Sequence, residues 1–243
     1  MEVLQNYKQV VDARKKLKEK NISFIDSSLI IKFKNLLRKL GFKKQISIGD
    51  VNKSWDILNF IQFIEKNVTK NQPILDIGCY CSEFVVALDA LGYKKLSAVD
   101  LNPGISYMPA QNRINYEVSD FMNYKPKVKK FRAISAISVM EHGFDRKRFL
   151  KSMSNILMTD GYLFISFDYW DKKIDTSKTR LFDMEWTIFS RSEVKKIIEE
   201  AKEFDLFQIN ESSFECDEKA ITHVGYKYTF GQIIFKKNNF IIK

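Results

Sequence analysis

At 243 residues, with 45% hydrophobic and 14% aromatic content, the chain can bury a core of its own, which excludes an intrinsically disordered protein. It has no uninterrupted apolar run of about 18 residues, and its first twenty residues, MEVLQNYKQVVDARKKLKEK, lack the apolar stretch of a secretory signal, so a cytoplasmic protein is expected. A formal net charge of +10 directs attention to anionic partners, while three cysteines, Cys79, Cys81 and Cys216, are too few for a disulfide framework.

Residues 1–69 read as a helical cap. Val3, Leu4, Tyr7, Val10, Val11 and Leu17 keep a 3.6-residue period, a second helix runs from Ser27 or Ser28 to a stop at Gly41, and a third starts near Ser54 and carries Trp55, Leu58, Ile61, Phe63 and Ile64. ARKKLKEK and IKFKNLLRKLGFKK place basic between apolar residues at helical spacing. That pattern is first the solvated face of an amphipathic helix, and second a surface for an anionic partner, peripheral membrane contact included.

From residue 70 to residue 243 the pattern becomes β/α alternation. ILDIG, KLSAVDL, INYEV, FRAISAISV and GYLFISF read as strands, with EFVVALDAL, RKRFLKSMSNIL and SEVKKIIEEAKEF as helices among them. The fold class expected is α/β, a doubly wound and mostly parallel sheet. LFQINESSF and GYKYTFGQIIFKK follow with no helix between them, so an antiparallel pair should close it.

Ligands of such sheets bind beyond the carboxyl ends of the strands. Those ends carry Asp76 and Gly78, then Asp100, then Asp120, then Ser138 to His142, then Asp168, Tyr169 and Trp170. Asp100, 22 residues after Gly78, stands where an acid can accept from the two hydroxyls of a ribose. Gly78 lets backbone approach a ligand, and a helix is expected to start at Ser82. One strand-end aspartate is commonly a turn former, but three in register are less easily set aside.

Over roughly residues 70–240 the chain resembles the class I S-adenosylmethionine-dependent methyltransferases. ILDIGCYCSEF is similar to their first motif, AVDLNP to the strand-two motif, VSDF to the adenine motif, ISAISVMEHGF to the strand-four motif and ILMTDGYLFISF to the fifth-strand segment. The resemblance implies a Rossmann-like sheet of seven strands, the last antiparallel, and S-adenosylmethionine as cofactor with S-adenosylhomocysteine as product. It implies Asp76 and Gly78 by the methionine portion, Asp100 on the ribose, Asp120 and Phe121 at the adenine, and Ser138 close to the reacting centre. Cys79, Tyr80, Leu101 and Asn102 complete the implied cofactor set. The family's Gly-x-Gly-x-Gly is here Gly78-Cys79-Tyr80-Cys81-Ser82, with only the first glycine kept. Tyr80 either covers the methionine end or packs under the loop. The cysteines read as small hydrophobes, since one Cys-x-Cys pair and two histidines cannot supply an ordinary structural zinc site.

A hydroxyl acceptor would need a base. His142, directly after the fourth strand, and Asp168 are the catalytic candidates, with Tyr169, Trp170 and His223 as substrate contacts. Trp186 and Phe189 read as core at the start of a helix. No Asn/Asp-Pro-Pro-aromatic sequence, Pro-Cys nucleophile or RNA-binding module is recognisable, which reads against nucleic acid. KSWD before the first motif and DYW after the fifth strand resemble small-molecule and sugar methyltransferases of bacterial surface-glycan pathways. The leading expectation is O-methylation of a small polar or anionic acceptor such as a sugar, nucleotide-activated sugar or glycan precursor. An RNA or protein methyltransferase, and a non-catalytic S-adenosylmethionine-binding protein, are the alternatives. A metal held by Glu141, Asp168 and Asp171 stays open.

Overall fold

The computed structural model describes residues 1–26, 30, 34, 36, 46–128, 130–211 and 213–238. The helix expected from Ser27 or Ser28 to Gly41 lies outside the described residues, apart from Ile30, Lys34 and Leu36, which are helical. In chain order the elements are β1 (Glu2–Val3), α1 (Tyr7–Glu19), α2 (Ser54–Asn67), β2 (Pro73–Ile77), α3 (Phe84–Ala90), β3 (Lys95–Asp100), β4 (Ile114–Val118) and β5 (Phe131–Ile137). There follow α4 (Arg146–Ile156), β6 (Leu157–Tyr169), β7 (Arg180–Leu181), β8 (Met184–Glu185), α5 (Arg191–Lys202), β9 (Leu206–Gln208), β10 (Ile221–His223) and β11 (Tyr226–Lys237). This is the expected α/β class, with a mostly parallel sheet and an antiparallel edge. Among the described residues no helix is long and apolar enough to cross a membrane.

The chain divides into two compact units, Val10–Tyr124 and Met1–Gln9 with Lys125–Lys243. In the first, β2, β3 and β4 run parallel, with Asp76 level with Ala98 and Asp100 level with Val118. Ile74, Leu75, Asp76 and Ile77 are all buried, as a strand covered on both faces requires. α2 and α3 supply cover here, and Phe60 meets Phe84 edge to face at 6.5 Å. α3 starts at Phe84, two residues later than expected. Ser82 stays outside the helix, where its Oγ accepts the Phe84 amide at 3.2 Å, and the Glu83 side chain caps nothing on its own helix but is spent on Arg14 and the Phe24 amide. Arg14, expected on a solvated face, is buried.

In the second unit β5 and β6 are parallel, and β11 pairs antiparallel with β6, β9, β10 and β1. The expected antiparallel closure is therefore present. Val3 and Leu4 do not join the first helix: Glu2 and Val3 pair with Gln232 and Gly231, and the Leu4 amide donates to Phe230 O. Of the helical stripe, Val10 and Leu17 are buried, whereas Tyr7 and Val11 are exposed. The segment DMEWTIF does not open a helix. Arg180–Leu181 and Met184–Glu185 form a two-stranded ribbon, and α5 begins at Arg191 behind a capping box of Ser190 and Glu193.

Gly161, at the turn into the long run of β6, has no room for a side chain: a Cβ would lie 2.8 Å from Met158 O and 3.1 Å from Arg132 O. Both atoms are backbone and cannot swing away. Gly161→Ala should lower stability by about 1–3 kcal/mol, read as a lower urea midpoint at unchanged m.

Candidate active site

Asp100 is the node of the first unit. Its Oδ2 accepts the Tyr80 amide at 2.9 Å and its Oδ1 the Asn102 amide at 2.8 Å. One carboxylate thus holds the loop after β2 against the loop after β3. Gly78, at φ +70°, turns the chain out of β2 and donates its amide to Val99 O at 2.9 Å. Asn102 Oδ1 accepts the Gly104 amide at 2.8 Å and so caps a 3₁₀ turn over Pro103–Tyr107. Leu101, beside the acid, is 56% exposed.

Tyr80 lies over this second loop. A Cβ on Gly104 would be 2.6 Å from Tyr80 Cε2, so the ring packs on bare backbone that only glycine provides. The loop on which the Tyr80 ring packs is the one after β3, not the one it stands in. Asp120 is also engaged locally: Oδ1 accepts the Met122 amide at 2.9 Å, Oδ2 accepts Asn123 Nδ2 at 2.6 Å, and Phe121 lies between them in sequence. Cys79 is fully buried, and burial first, then the charges of Asp76 and Asp100, push its thiol far up. It is a neutral hydrophobe, as expected. Tyr116, on β4 and level with Ala98, has a buried hydroxyl with no hydrogen-bond partner among the described residues, and burial first, then the charge of Asp76, holds its proton tightly.

These residues fit a nucleoside cofactor. A carboxylate oxygen accepts about two hydrogen bonds. Each Asp100 oxygen has accepted one from the backbone, which leaves capacity for two ribose hydroxyls. The orphaned Tyr116 hydroxyl is a donor that a ligand at this loop could satisfy.

The second unit carries the remaining candidates. Ser138 turns at φ +53°, its amide donates to Ser166 O at 3.1 Å, and its buried Oγ has no hydrogen-bond partner among the described residues. His142 is half-buried, its ring edge-on to Phe182 at 5.6 Å. Phe182, at the tip of the β7–β8 ribbon, is 82% exposed and at φ +55°. The ribbon is seated on the strand-four loop: the Thr187 amide donates to Glu141 O at 2.9 Å, and a Cβ on Gly143 would be 2.7 Å from Glu185 Cβ. Asp168 is buried and its Oδ2 accepts Trp186 Nε1 at 2.8 Å. Trp186 in turn meets His223, Tyr226 and Tyr228 edge to face at 6.2, 5.3 and 5.8 Å. Tyr169 is fully buried, with its hydroxyl donating to Phe214 O at 2.8 Å, which leaves no face for a substrate. Trp170 is half-buried under Lys219, whose Nζ is 4.7 Å from the ring centre. Among the described residues no group of three His, Cys, Asp or Glu side chains is placed to hold a metal.

Sequence reasoning missed Arg14, Glu83, Gly104 and the ribbon that carries Phe182. Only the glycine between Pro103 and Ile105, in a loop otherwise rich in side chains, signalled a close approach.

Residues 53–201, more than half of the chain, match the family described as "Methyltransferase domain". The chain belongs to the methyltransferase-domain family. It is of the S-adenosylmethionine-dependent class, with S-adenosylmethionine as the methyl donor. EEF1A lysine methyltransferase 2 of Danio rerio is 27% identical over 146 residues, 52% of this chain and 63% of that protein. The chain therefore spans less than two thirds of the length of this curated relative. The Burkholderia thailandensis 1,6-didemethyltoxoflavin-N1-methyltransferase, solved with its substrate and S-adenosylhomocysteine, is similar at TM-score 0.55 and 15% identity, covering 87% of each chain. The [4+2]-cyclase SpnF is similar at TM-score 0.59 and 9% identity, over 78% of this chain and 84% of that one. These two likenesses are of fold, and a cyclase beside a methyltransferase shows how little the fold alone says of the reaction.

Asp100→Asn replaces one acceptor by a donor, so it loses one of the two amide bonds and an acceptor that a ribose hydroxyl would use. It should weaken S-adenosylhomocysteine binding by about tenfold or more in calorimetry, since each lost charge-assisted bond is worth about 1.5–3 kcal/mol. In the native protein Cys79 should resist iodoacetamide at pH 8 and react only in denaturant, which peptide mass mapping reads directly.

Proposed function

We propose that the protein transfers a methyl group from S-adenosylmethionine to an amine on a polypeptide, with a lysine side chain as the acceptor. The observation that carries the acceptor class is the relative named for lysine methylation of a protein, matched over half of this chain. The segments that resembled sugar methyltransferases are largely occupied in the fold itself. In KSWD, Trp55 and Asp56 are buried and Ser54 Oγ accepts from Arg14 Nε at 2.9 Å; in DYW, Tyr169 is core. A second reading, O-methylation of a sugar or nucleotide-activated sugar, is favoured by one feature, the half-buried Trp170 with the Lys219 ammonium over its ring.

The cofactor supplies an electrophilic methyl group on a sulfonium, and the chain's task is to hold, align and deprotonate. Asp100 is assigned to the ribose, Asp120 and Phe121 to the adenine, and Asp76, Gly78, Cys79 and Tyr80 to the methionine end. A lysine amine is a nucleophile only when neutral, and its ordinary pKa is about 10.4. His142, after the strand-four motif, is assigned as the group that takes the proton. Asp168 is a positioning residue, because its Oδ2 is committed to the Trp186 indole. Trp186 is buried and backs the half-buried Tyr226 and the exposed His223, whose rings suit the apolar stem of a lysine.

The test is a tritiated-methyl transfer assay on elongation factor 1A, lysine-containing peptides and nucleotide-linked sugars in parallel. Label released as methyllysine after acid hydrolysis supports the reading; label confined to the sugars overturns it. With the accepted substrate, His142→Ala should lower kcat by about a hundredfold. Undiminished turnover would remove His142 from its role.

A further inference from the structure

The cofactor loop has lost two of the three glycines that such loops use, yet Cys81 still adopts the left-handed conformation at φ +61°. An L residue resists that conformation; a turn bond inside the loop, from the Ser82 amide to Cys79 O at 3.0 Å, spans it, and further bonds hold it from outside. The hydrogen bonds name the holder. Cys81 O accepts the Gly49 amide at 2.8 Å. Two residues on, fully buried Glu83 accepts from the Arg14 guanidinium through Oε1 and from the Phe24 amide through Oε2 at 2.9 Å. The same guanidinium donates to Ser54 Oγ at 2.9 Å and to Ser23 Oγ at 3.1 Å. Gly49 closes the arrangement: at φ +85° it has no space for a side chain, since a Cβ would lie 2.5 Å from Ile25 Cγ1 and 3.3 Å from Glu83 Cδ. Residues 23–25 and 49–54 thus converge with the end of the loop after β2 on one buried ion pair.

We propose that Arg14 and Glu83 are positioning residues for the cofactor: their buried pair, with the Gly49 amide, clamps the glycine-poor loop in the left-handed turn at Cys81 that cofactor binding requires. A guanidinium fork suits this work, because it bonds a carboxylate and two hydroxyls at once in fixed directions. The inference rests on cofactor binding alone and is independent of the acceptor. Because coupling is reciprocal, bound cofactor should also hold the clamp closed.

Calorimetry with S-adenosylhomocysteine tests it, with melting curves alongside. Native protein that binds no S-adenosylhomocysteine would overturn the cofactor assignment itself, so the variants are read only against native binding. Arg14→Met should raise Kd at least tenfold, Arg14→Lys by less, and Cys81→Gly alone by no more than about twofold. In the Arg14→Met/Cys81→Gly double variant most of the lost affinity should return, because glycine needs no clamp to take φ +61°. A merely structural Arg14 would lower melting temperature without that rescue, and wild-type affinity in Arg14→Met, or no rescue by Cys81→Gly, overturns the proposal. Hydrogen exchange on the native protein tests it without any substitution. Added S-adenosylhomocysteine should slow exchange at the Phe24 and Gly49 amides, and unchanged exchange at both contradicts the clamp.

Discussion

A single carboxylate holds two loops of the first unit in order. Asp100 stands at the end of β3, and its two oxygens take one amide from each of two loops, Tyr80 from the loop after β2 and Asn102 from its own. Parallel strands leave such loops side by side at their carboxyl ends with amides that have no ladder to join. An acid there satisfies them, because each carboxylate oxygen is an acceptor with room for a backbone amide. Gly78, Tyr80 and Gly104 follow from that node. The first turns the chain toward it, the second donates to it, and the third makes room for the ring that results.

The loop's other anchor is of a different kind. Glu83 and Arg14 are both buried, and a buried pair gains little over an apolar replacement while removal of one partner costs about 3–5 kcal/mol. Such a pair is better understood as fixing a geometry than as supplying net stability. The geometry it fixes is that of a backbone turn whose ordinary glycines are absent.

Much of this was legible in the sequence, and the limits have physical causes. The β/α alternation, the acids at the strand ends and the antiparallel closing strand follow from periodicity and turn chemistry, and the buried, neutral Cys79 from its place behind an apolar strand. Arg14 was not legible, since periodicity assigns a charged residue to solvent and cannot see a glutamate 69 positions away. Val3 and Leu4 fit a helical stripe, but pairing with β11 overrode it. The β7–β8 ribbon turns through Phe182 and Asp183, both at positive φ, without the glycine or asparagine that announces such a turn. The substrate expectation for Tyr169 came from its place at a strand end and the glycan reading of KSWD from resemblance, and burial gives those residues other work.

The account stands on Asp100 serving the two amides and a ribose at the same time. A crystal structure with S-adenosylhomocysteine tests this most directly. It should show both ribose hydroxyls donating to the Asp100 carboxylate while the Tyr80 and Asn102 amides remain on the same two oxygens. A ribose bound elsewhere, or one that enters only by displacing those amides, would contradict it.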